Sequence, residues 1–258
     1  MDVVSIVVAD TPLLRYVLQR ADDALVLGHR LSEWCGHAPL MEEDLALSNT
    51  ALDLLGQAQA LYAYAAAVEG AGRTDDAYAY LRDDRAFGNV LLVERPNGDF
   101  AETMVRVLLY AAYVEPYWQR MTRSTDVTLA AIAAKAQKEA AYHVRHAAEW
   151  VIRLGDGTAE SHARAQRALD ELWPYTGELF AAGATDAALI AAGVAVNADD
   201  LRPVWRATIE RVLAEATLTI PADGWMQSGG RDGRHTEALG HLLAEMQSLA
   251  RTHPGATW

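Results

Sequence analysis

Residues 42–68 read EEDLALSNTALDLLGQAQALYAYAAAV, and this stretch decides the fold class. Alanine and leucine dominate it, and both are strong helix formers. The acidic residues 42–44 lie where the first helical turn begins, and the helix dipole favours negative charge there. Gly70 and Gly72 follow and end the segment. The pattern predicts one long helix over 42–68.

Helical signals recur on both sides of this stretch. Thr11 and Pro12 look like an N-cap followed by proline at the first helical position. Pro116 and Pro174 lie inside predicted helices, so we expect kinks there. A short strand over 217–220 is the one β-like expectation. We predict further helices over 11–34, 99–123, 126–154, 161–180, 199–218 and 236–251, with a short helical piece over 75–84.

These helices indicate an all-α fold. Four long helices joined by connections of varying length are typical of an up-and-down four-helix bundle, which the C-terminal helices then elaborate. No linker is long enough to divide the chain, and 258 residues suffice for a sizeable core. We therefore expect residues 1–258 to form a single helical domain.

Composition narrows the function classes. The formal net charge is −13, which disfavours nucleic-acid binding because phosphate contacts need clustered Lys and Arg. An acidic surface suits a basic partner protein better. No charge-free run reaches the roughly 20 residues of a membrane span. We expect neither nucleic acid nor a membrane as a partner.

Cys35 is the single cysteine of the chain. One cysteine excludes an internal disulfide and favours a reducing compartment, so the expected location is the cytoplasm. It also excludes a thiolate zinc cage or an iron–sulfur cluster built from this chain alone.

Helical bundles often hold a carboxylate-bridged di-iron site, whose ligands include Glu-x-x-His on two of the helices. The spacing places both side chains on one helical face. The sequence contains no Glu-x-x-His, and its one Asp-x-x-His, Asp232 to His235, lies in a glycine-rich loop. Glu139, His143 and His146 share a helical face, but an ion pair or a satisfied core histidine explains them more simply than a metal.

Other candidate chemistry is weaker. The loop Gly229–Arg234 carries two arginines that suit a phosphate, and it is the only support for a coenzyme-A-binding module. It follows no strand and matches no phosphate-binding motif, so a plain loop is the simpler interpretation. Ser32, Ser48 and Cys35 have no nucleophile motif around them, so we predict no catalytic residue.

An aromatic stripe runs along the predicted helix over 99–123. Its members are Tyr110, Tyr113, Tyr117 and Trp118. Such a stripe at helical spacing favours the core or an interface over a cofactor pocket.

Four unusual strings go beyond composition. They read LSEWCGHAP at 31–39, DLALSN with LDLLGQA within 44–58, RDDR at 82–85 followed by Asn89 and LLVERPNGDFA at 91–101, and HTE, LG and LAEMQ within 235–247. Together they resemble the C subunits of bacterial phenylacetyl-CoA epoxidase, the multicomponent monooxygenase of phenylacetate catabolism. The resemblance covers nearly the whole chain.

The resemblance implies a ferritin-like, non-catalytic scaffold within a larger complex. In that family a catalytic di-iron A subunit pairs with a related C subunit, and the assembly also contains a small B subunit and a reductase E subunit. The reductase carries FAD and an iron–sulfur cluster, and the complex uses NADPH and O₂ to epoxidise the ring of phenylacetyl-CoA. The resemblance thus implies no cofactor in this chain and the A, B and E subunits as partners. A homodimer of the isolated chain is also open.

The resemblance further implies a lost metal site on the second helix. In the catalytic relative this motif reads Asp-Glu-x-x-His. Matching Asp53 to the Asp puts Leu54 at the ligand Glu position and Gln57 at the ligand His position. Leucine has no donor atom, and a neutral amide is a poor substitute for imidazole.

The fourth-helix motif of the catalytic relative reads Lys-Glu-Glu-x-x-His. Matching Lys138 and Glu139 leaves Ala140 at the ligand Glu position and retains His143. The first-helix ligand matches Glu33, and the third-helix carboxylate falls near Ala111.

Only Glu33 and His143 therefore survive from the ligand set of that family, which implies no metal site in this chain. Cofactor-binding residues stay unknown. We expect Glu33, Asp53 and Glu139 to have Arg, Lys or His neighbours, since an unpaired buried charge is costly. The alternative to a structural subunit is an independently active di-iron oxygenase with unconventional ligands.

Overall fold

The computed structural model describes residues 5–181 and 186–256. Over these residues the protein is all-α and contains no strand, which confirms the predicted fold class and is consistent with a ferritin-like fold. The helices are α1 (Pro12–Ser32), α2 (Met41–Glu69), α3 (Asp75–Tyr80), α4 (Leu91–Glu94), α5 (Phe100–Met121), α6 (Val127–Gly155), α7 (Ala159–Leu172), α8 (Asp186–Ala191), α9 (Arg202–Glu215) and α10 (Glu237–Thr252). Short 3₁₀ turns lie at Asp84–Ala86, Trp173–Tyr175, Gly177–Phe180, Ala198–Leu201 and Gly230–Asp232.

The chain divides into two compact units. Unit 1 comprises the residues up to Trp34, Leu47–Pro96 and the segment from Gly229 onward. Unit 2 comprises Cys35–Ala46 and Asn97–Ser228. The expectation of a single domain over 1–258 stays a prediction.

Unit 1 is built on α1 and α2. The Thr11 side chain accepts a hydrogen bond from the Leu14 amide and caps α1, with Pro12 at the first helical position as predicted. At Gly28 the two helices come close: a Cβ there would lie 3.2 Å from the Leu55 side chain. Helix α1 also packs against α4, and α10 packs against α3.

Unit 2 is built on α5 and α6, which pack against each other along their length, with α7 and α9 against both. The Asp126 side chain accepts hydrogen bonds from the Thr128 and Leu129 amides, both at 3.0 Å, and caps α6. The predicted aromatic stripe of α5 lies in the core: Tyr110, Tyr113, Tyr117 and Trp118 are all buried.

Several predicted boundaries are wrong. The predicted helix over 161–180 ends at Leu172, because Pro174 follows and the chain continues as 3₁₀ turns. The predicted helix over 199–218 starts as a 3₁₀ turn and ends at Glu215. Helix α3 ends at Tyr80 rather than at residue 84.

The predicted strand over 217–220 is also wrong. Thr217 has φ 57°, a left-handed conformation that a strand does not contain. The helix α5 continues unbroken through Pro116, so the expected kink there stays a prediction. Within the described ranges, no helix is long and apolar enough to cross a membrane.

Candidate functional site

The positions matched to the lost metal site lie within or at the ends of long helices in both units. In unit 1, Leu54 and Gln57 are buried on α2 and Asp53 beside them is half-buried. The side chain of Leu54, which the resemblance matches to a ligand glutamate, is buried and offers no donor atom. The structure therefore places an aliphatic side chain at this matched position.

Glu33 lies just beyond the last turn of α1 and its side chain is 43% exposed. It accepts a hydrogen bond of 2.7 Å from the guanidinium of Arg30. Arg30 also donates to the backbone oxygens of Glu94, at 3.1 Å, and Ala238, at 2.9 Å. The expected cationic neighbour of Glu33 is confirmed, although the carboxylate is exposed rather than buried.

In unit 2, Ala111 is buried on α5, and Ala140 and His143 are buried on α6. Ala140 and His143 are three residues apart in sequence and share one face of the helix. Glu139 lies 3.5 Å from Lys135 across one helical turn, which confirms its expected cationic neighbour. For Asp53 this expectation stays a prediction.

The cluster of Glu139, His143 and His146 does not form one site. His146 contacts Glu43 on α2 instead, with Nε2 2.8 Å from Oε2, and Tyr142 stacks on the imidazole at 5.8 Å. Glu43 belongs to the acidic first turn of α2, and nothing in the sequence pairs it with His146. The His146 imidazole therefore has a carboxylate partner on a different helix.

A metal centre needs several ligands that converge. Across residues 5–181 and 186–256, no group of three or more His, Cys, Asp and Glu side chains is arranged to hold a metal ion. Leu54, Ala111 and Ala140 contribute only buried hydrocarbon at the matched positions. The residues present do not fit a di-iron centre, which needs carboxylates to offset the charge of two ions.

The glycine-rich loop does not present both of its arginines to a phosphate. Arg231 donates to both carboxylate oxygens of Asp23, at 2.9 and 2.7 Å, and also to the backbone oxygen of Gly88. Its guanidinium is thus already engaged within unit 1. Arg234 is exposed and pairs with Asp232 at 3.0 Å. The coenzyme-A-binding hypothesis loses its main support, because one of its two arginines has a structural role.

Sequence reasoning missed a second feature of unit 1, a buried ionic network. Arg82 is fully buried and contacts both carboxylate oxygens of Asp22, which also accepts a 2.6 Å hydrogen bond from the Tyr62 hydroxyl. Burial and the neighbouring Asp22 carboxylate raise the pKa of Tyr62 well above its ordinary value. Burial alone would lower the pKa of Arg82, but Asp22 and Tyr62 together outweigh it and the pKa is raised. Both groups therefore keep their protons at neutral pH.

A second buried polar cluster of unit 1 lies around His235. His235 contacts the Glu94 carboxylate through Nδ1 at 2.7 Å and the Phe87 carbonyl oxygen through Nε2 at 2.9 Å. Glu94 also accepts from Asn89, at 2.9 Å, and from the amide of Thr236, at 2.7 Å. Arg82, Asn89, Glu94 and His235 all come from the strings that carried the resemblance. Membership of these strings was the one sequence signal that could have pointed to the cluster.

Comparison with known proteins agrees with the resemblance. A family model described as "Phenylacetic acid catabolic protein" matches residues 4–258. Among curated proteins, the chain is similar to the C subunit of 1,2-phenylacetyl-CoA epoxidase from Escherichia coli (strain K12). The two are 48% identical over 246 residues, which cover 95% of this chain and 99% of that protein. The chain belongs to the phenylacetic acid catabolic protein family.

Proposed function

We propose that this chain is the structural, non-catalytic subunit of a phenylacetyl-CoA epoxidase and works in phenylacetate catabolism. Its role is to bind and stabilise a related catalytic subunit that carries the di-iron centre. The observation that carries the proposal is the 48% identity to the C subunit of the Escherichia coli epoxidase, over nearly the full length of both chains.

The side chains at the matched ligand positions support a role without chemistry. Leu54, Ala111 and Ala140 are buried in helices, where apolar side chains contribute packing and cannot coordinate iron. Glu33 is held by Arg30, and Glu139 lies beside Lys135. In these contacts the two carboxylates pair with neighbouring cations, as structural residues do. We therefore assign no reaction step to this chain.

Partners follow from the same proposal. In the proposed complex this chain assembles with a catalytic A subunit, alongside a B subunit and a reductase E subunit. The reductase, with FAD and an iron–sulfur cluster, supplies electrons from NADPH. Helix faces of the length seen here are suited to interfaces between chains. A cytoplasmic location and the ability of the isolated chain to form a homodimer are part of the proposal.

The non-catalytic role can be tested by substituting Glu33 and His143, the two residues that still match metal ligands of the family. We would reconstitute the epoxidase with Glu33→Gln or His143→Gln in this chain, using Glu149→Gln, an exposed carboxylate on α6, as the matched control. The expected result is that all three complexes epoxidise phenylacetyl-CoA within about twofold of the parent rate, because groups outside a reacting centre carry little of its transition-state stabilisation. Circular dichroism checks folding, and co-elution with the catalytic partner checks assembly.

The active-oxygenase alternative predicts a different outcome. If this chain held its own iron through Glu33 and His143, their loss would reduce the rate by about 100-fold or more, while Glu149→Gln stayed at the parent rate. That result, in complexes that assemble normally, would overturn the proposal. Each variant is judged separately, so a folding defect in His143→Gln leaves the test on Glu33→Gln intact.

A further inference from the structure

His235 is a buried histidine that the proposed function does not use. It lies two residues before α10, and its side chain is only 4% exposed. Both ring nitrogens have close partners within unit 1: Nδ1 lies 2.7 Å from the Glu94 carboxylate and Nε2 lies 2.9 Å from the Phe87 carbonyl oxygen. This geometry fixes the charge of the ring.

A backbone carbonyl oxygen can only accept a hydrogen bond, so Nε2 of His235 must carry a proton. The Glu94 carboxylate also acts as an acceptor. Its Oε1 accepts from the amide of Thr236 and its Oε2 accepts from the Asn89 side chain. Both oxygens of this carboxyl thus face N–H donors and act as acceptors. Nδ1 therefore carries a proton as well, and the ring is an imidazolium.

The surrounding charges agree with an imidazolium. Glu94 on α4 and Asp22 on α1 act on the ring electrostatically, and Asp22 is itself paired with Arg82. Burial alone would lower the pKa of His235, but the hydrogen bonds to Glu94 and Phe87 and the charges of Glu94 and Asp22 together raise it above 6.5. Two other charged residues of the same segment already have partners: Arg231 pairs with Asp23, and Asp232 pairs with Arg234.

The other side chains that attach the C-terminal segment do not change charge near neutral pH. Arg231 holds Asp23, and Arg30 on α1 donates to the backbone oxygens of Ala238 and Glu94. Gln247 donates to the backbone oxygens of Ala79 and Arg82, and Arg251 donates to the latter oxygen as well. Arginine stays protonated and glutamine has no charge to lose. His235 alone, among these attachments, titrates in the physiological range.

We propose that His235 is a protonation-controlled clasp, which holds segment 229–252 onto residues 79–94 while the ring is charged and loosens it when the proton is lost. A neutral ring has one N–H, so either the Phe87 carbonyl or the Glu94 carboxylate loses its donor. A buried carboxylate without its cation is costly, and detachment of the segment relieves that cost.

The direction with pH follows from linkage. The ring binds its proton more tightly in the attached state than in the detached state, whose pKa is the ordinary 6.5. The attachment is at full strength below pH 6.5 and weakens as pH rises, until the folded pKa is passed. Between these two values the detachment equilibrium rises by up to about tenfold per pH unit.

Hydrogen exchange on the full chain tests the clasp. We would measure amide protection of peptides from 79–94 and 236–252 between about pH 6 and 9, corrected for intrinsic exchange, in the parent protein, His235→Gln and His241→Gln. His241 lies exposed on α10 and is the matched control. The expected result is protection that falls with pH in the parent protein and in His241→Gln, and low, pH-independent protection in His235→Gln. Protection of the parent that does not change with pH would overturn the proposal.

A direct reading of the ring keeps the test decisive if His235→Gln fails to fold. Nitrogen chemical shifts of labelled histidine distinguish an imidazolium from either neutral tautomer. The parent protein should hold one imidazolium with two slowly exchanging N–H protons above pH 7. Glu94→Gln, which removes the charge but keeps the shape, should shift its titration to lower pH. A neutral buried ring at pH 7, or a titration that Glu94→Gln leaves unchanged, would overturn the proposal.

Discussion

The interiors of the two units differ in which contacts are prominent, ion pairs in unit 1 and packed aromatic rings in unit 2. Among its described residues, unit 1 buries several ion pairs, including Arg82 with Asp22, Arg231 with Asp23 and His235 with Glu94. Unit 2 packs rings against rings, as shown by the contacts of Tyr113 with Phe180, Phe180 with Trp205 and Trp173 with Trp205.

This difference affects how strongly a single substitution destabilises each unit. A buried ion pair ties together segments that are distant in sequence, but loss of either partner leaves an uncompensated charge. Ring packing spreads its stabilisation over many weak contacts, and a smaller ring keeps most of them. We therefore expect unit 1 to be more sensitive to single polar substitutions than unit 2 is to conservative apolar ones.

Arg82→Met has the largest expected effect. It leaves Asp22 fully buried without its cation, and the free energy of unfolding should fall by about 3–5 kcal/mol. Chemical denaturation measures the change. Because the fault is the unpaired carboxylate, adding Asp22→Asn should recover part of the loss. A double variant as unstable as the sum of the two single variants would contradict this account of the pair.

Trp205→Phe probes the ring cluster of unit 2. The substitution keeps a ring against Trp173 and Phe180 but removes the indole N–H that donates to the Leu109 carbonyl oxygen at 2.9 Å. The free energy of unfolding should fall by about 1–3 kcal/mol, less than for Arg82→Met. Thermal unfolding followed by circular dichroism provides the measurement. A loss as large as that of Arg82→Met would remove the contrast between the units.

Asp126→Ala removes the cap of α6. Two amides, of Thr128 and Leu129, lose their acceptor, and the expected loss is about 1 kcal/mol. Asp126→Asn keeps an acceptor oxygen and serves as the control, with a loss of no more than a few tenths of a kcal/mol. The measurement is the denaturation midpoint of both variants under the same conditions. Equal losses of stability would mean that the cap is not the cause of the destabilisation.

Arg206→Gln has the smallest expected effect. Arg206 pairs with Glu210 at 2.8 Å on the surface of unit 2, and such a pair contributes about 0–1 kcal/mol. The effect should shrink further in 1 M salt, which screens exposed charges, whereas that of Arg82→Met should persist. Unfolding in low and high salt tests both. A salt-sensitive Arg82 pair would mean that water reaches it.

Sequence predicted the parts of this structure that depend on neighbours in the chain. The Thr11 cap and the long helix over 42–68 rest on local propensity, and both are confirmed. The helix over 161–180 failed because Pro174 ends the helix rather than bending it. The strand over 217–220 failed because Thr217 adopts a left-handed turn, which its residue type does not indicate.

The buried ion pairs could not be predicted from the pattern. Asp22 and Arg82 are 60 residues apart in sequence, Glu94 and His235 are 141 apart, and Asp23 and Arg231 are 208 apart. No local rule connects such distant partners. The positions of the candidate site, by contrast, were proposed from sequence motifs before the structure was described. The structure adds that Leu54, Ala111 and Ala140 are buried.

The iron content of the purified chain, alone and co-expressed with its catalytic partner, tests the central claim most directly. The account predicts no iron in the isolated chain and iron in the complex only in proportion to the partner, because buried Leu54, Ala111 and Ala140 offer no ligand atoms. Near-stoichiometric iron in the isolated chain, retained after dialysis against a chelator, would contradict it and make the independently active oxygenase the leading interpretation.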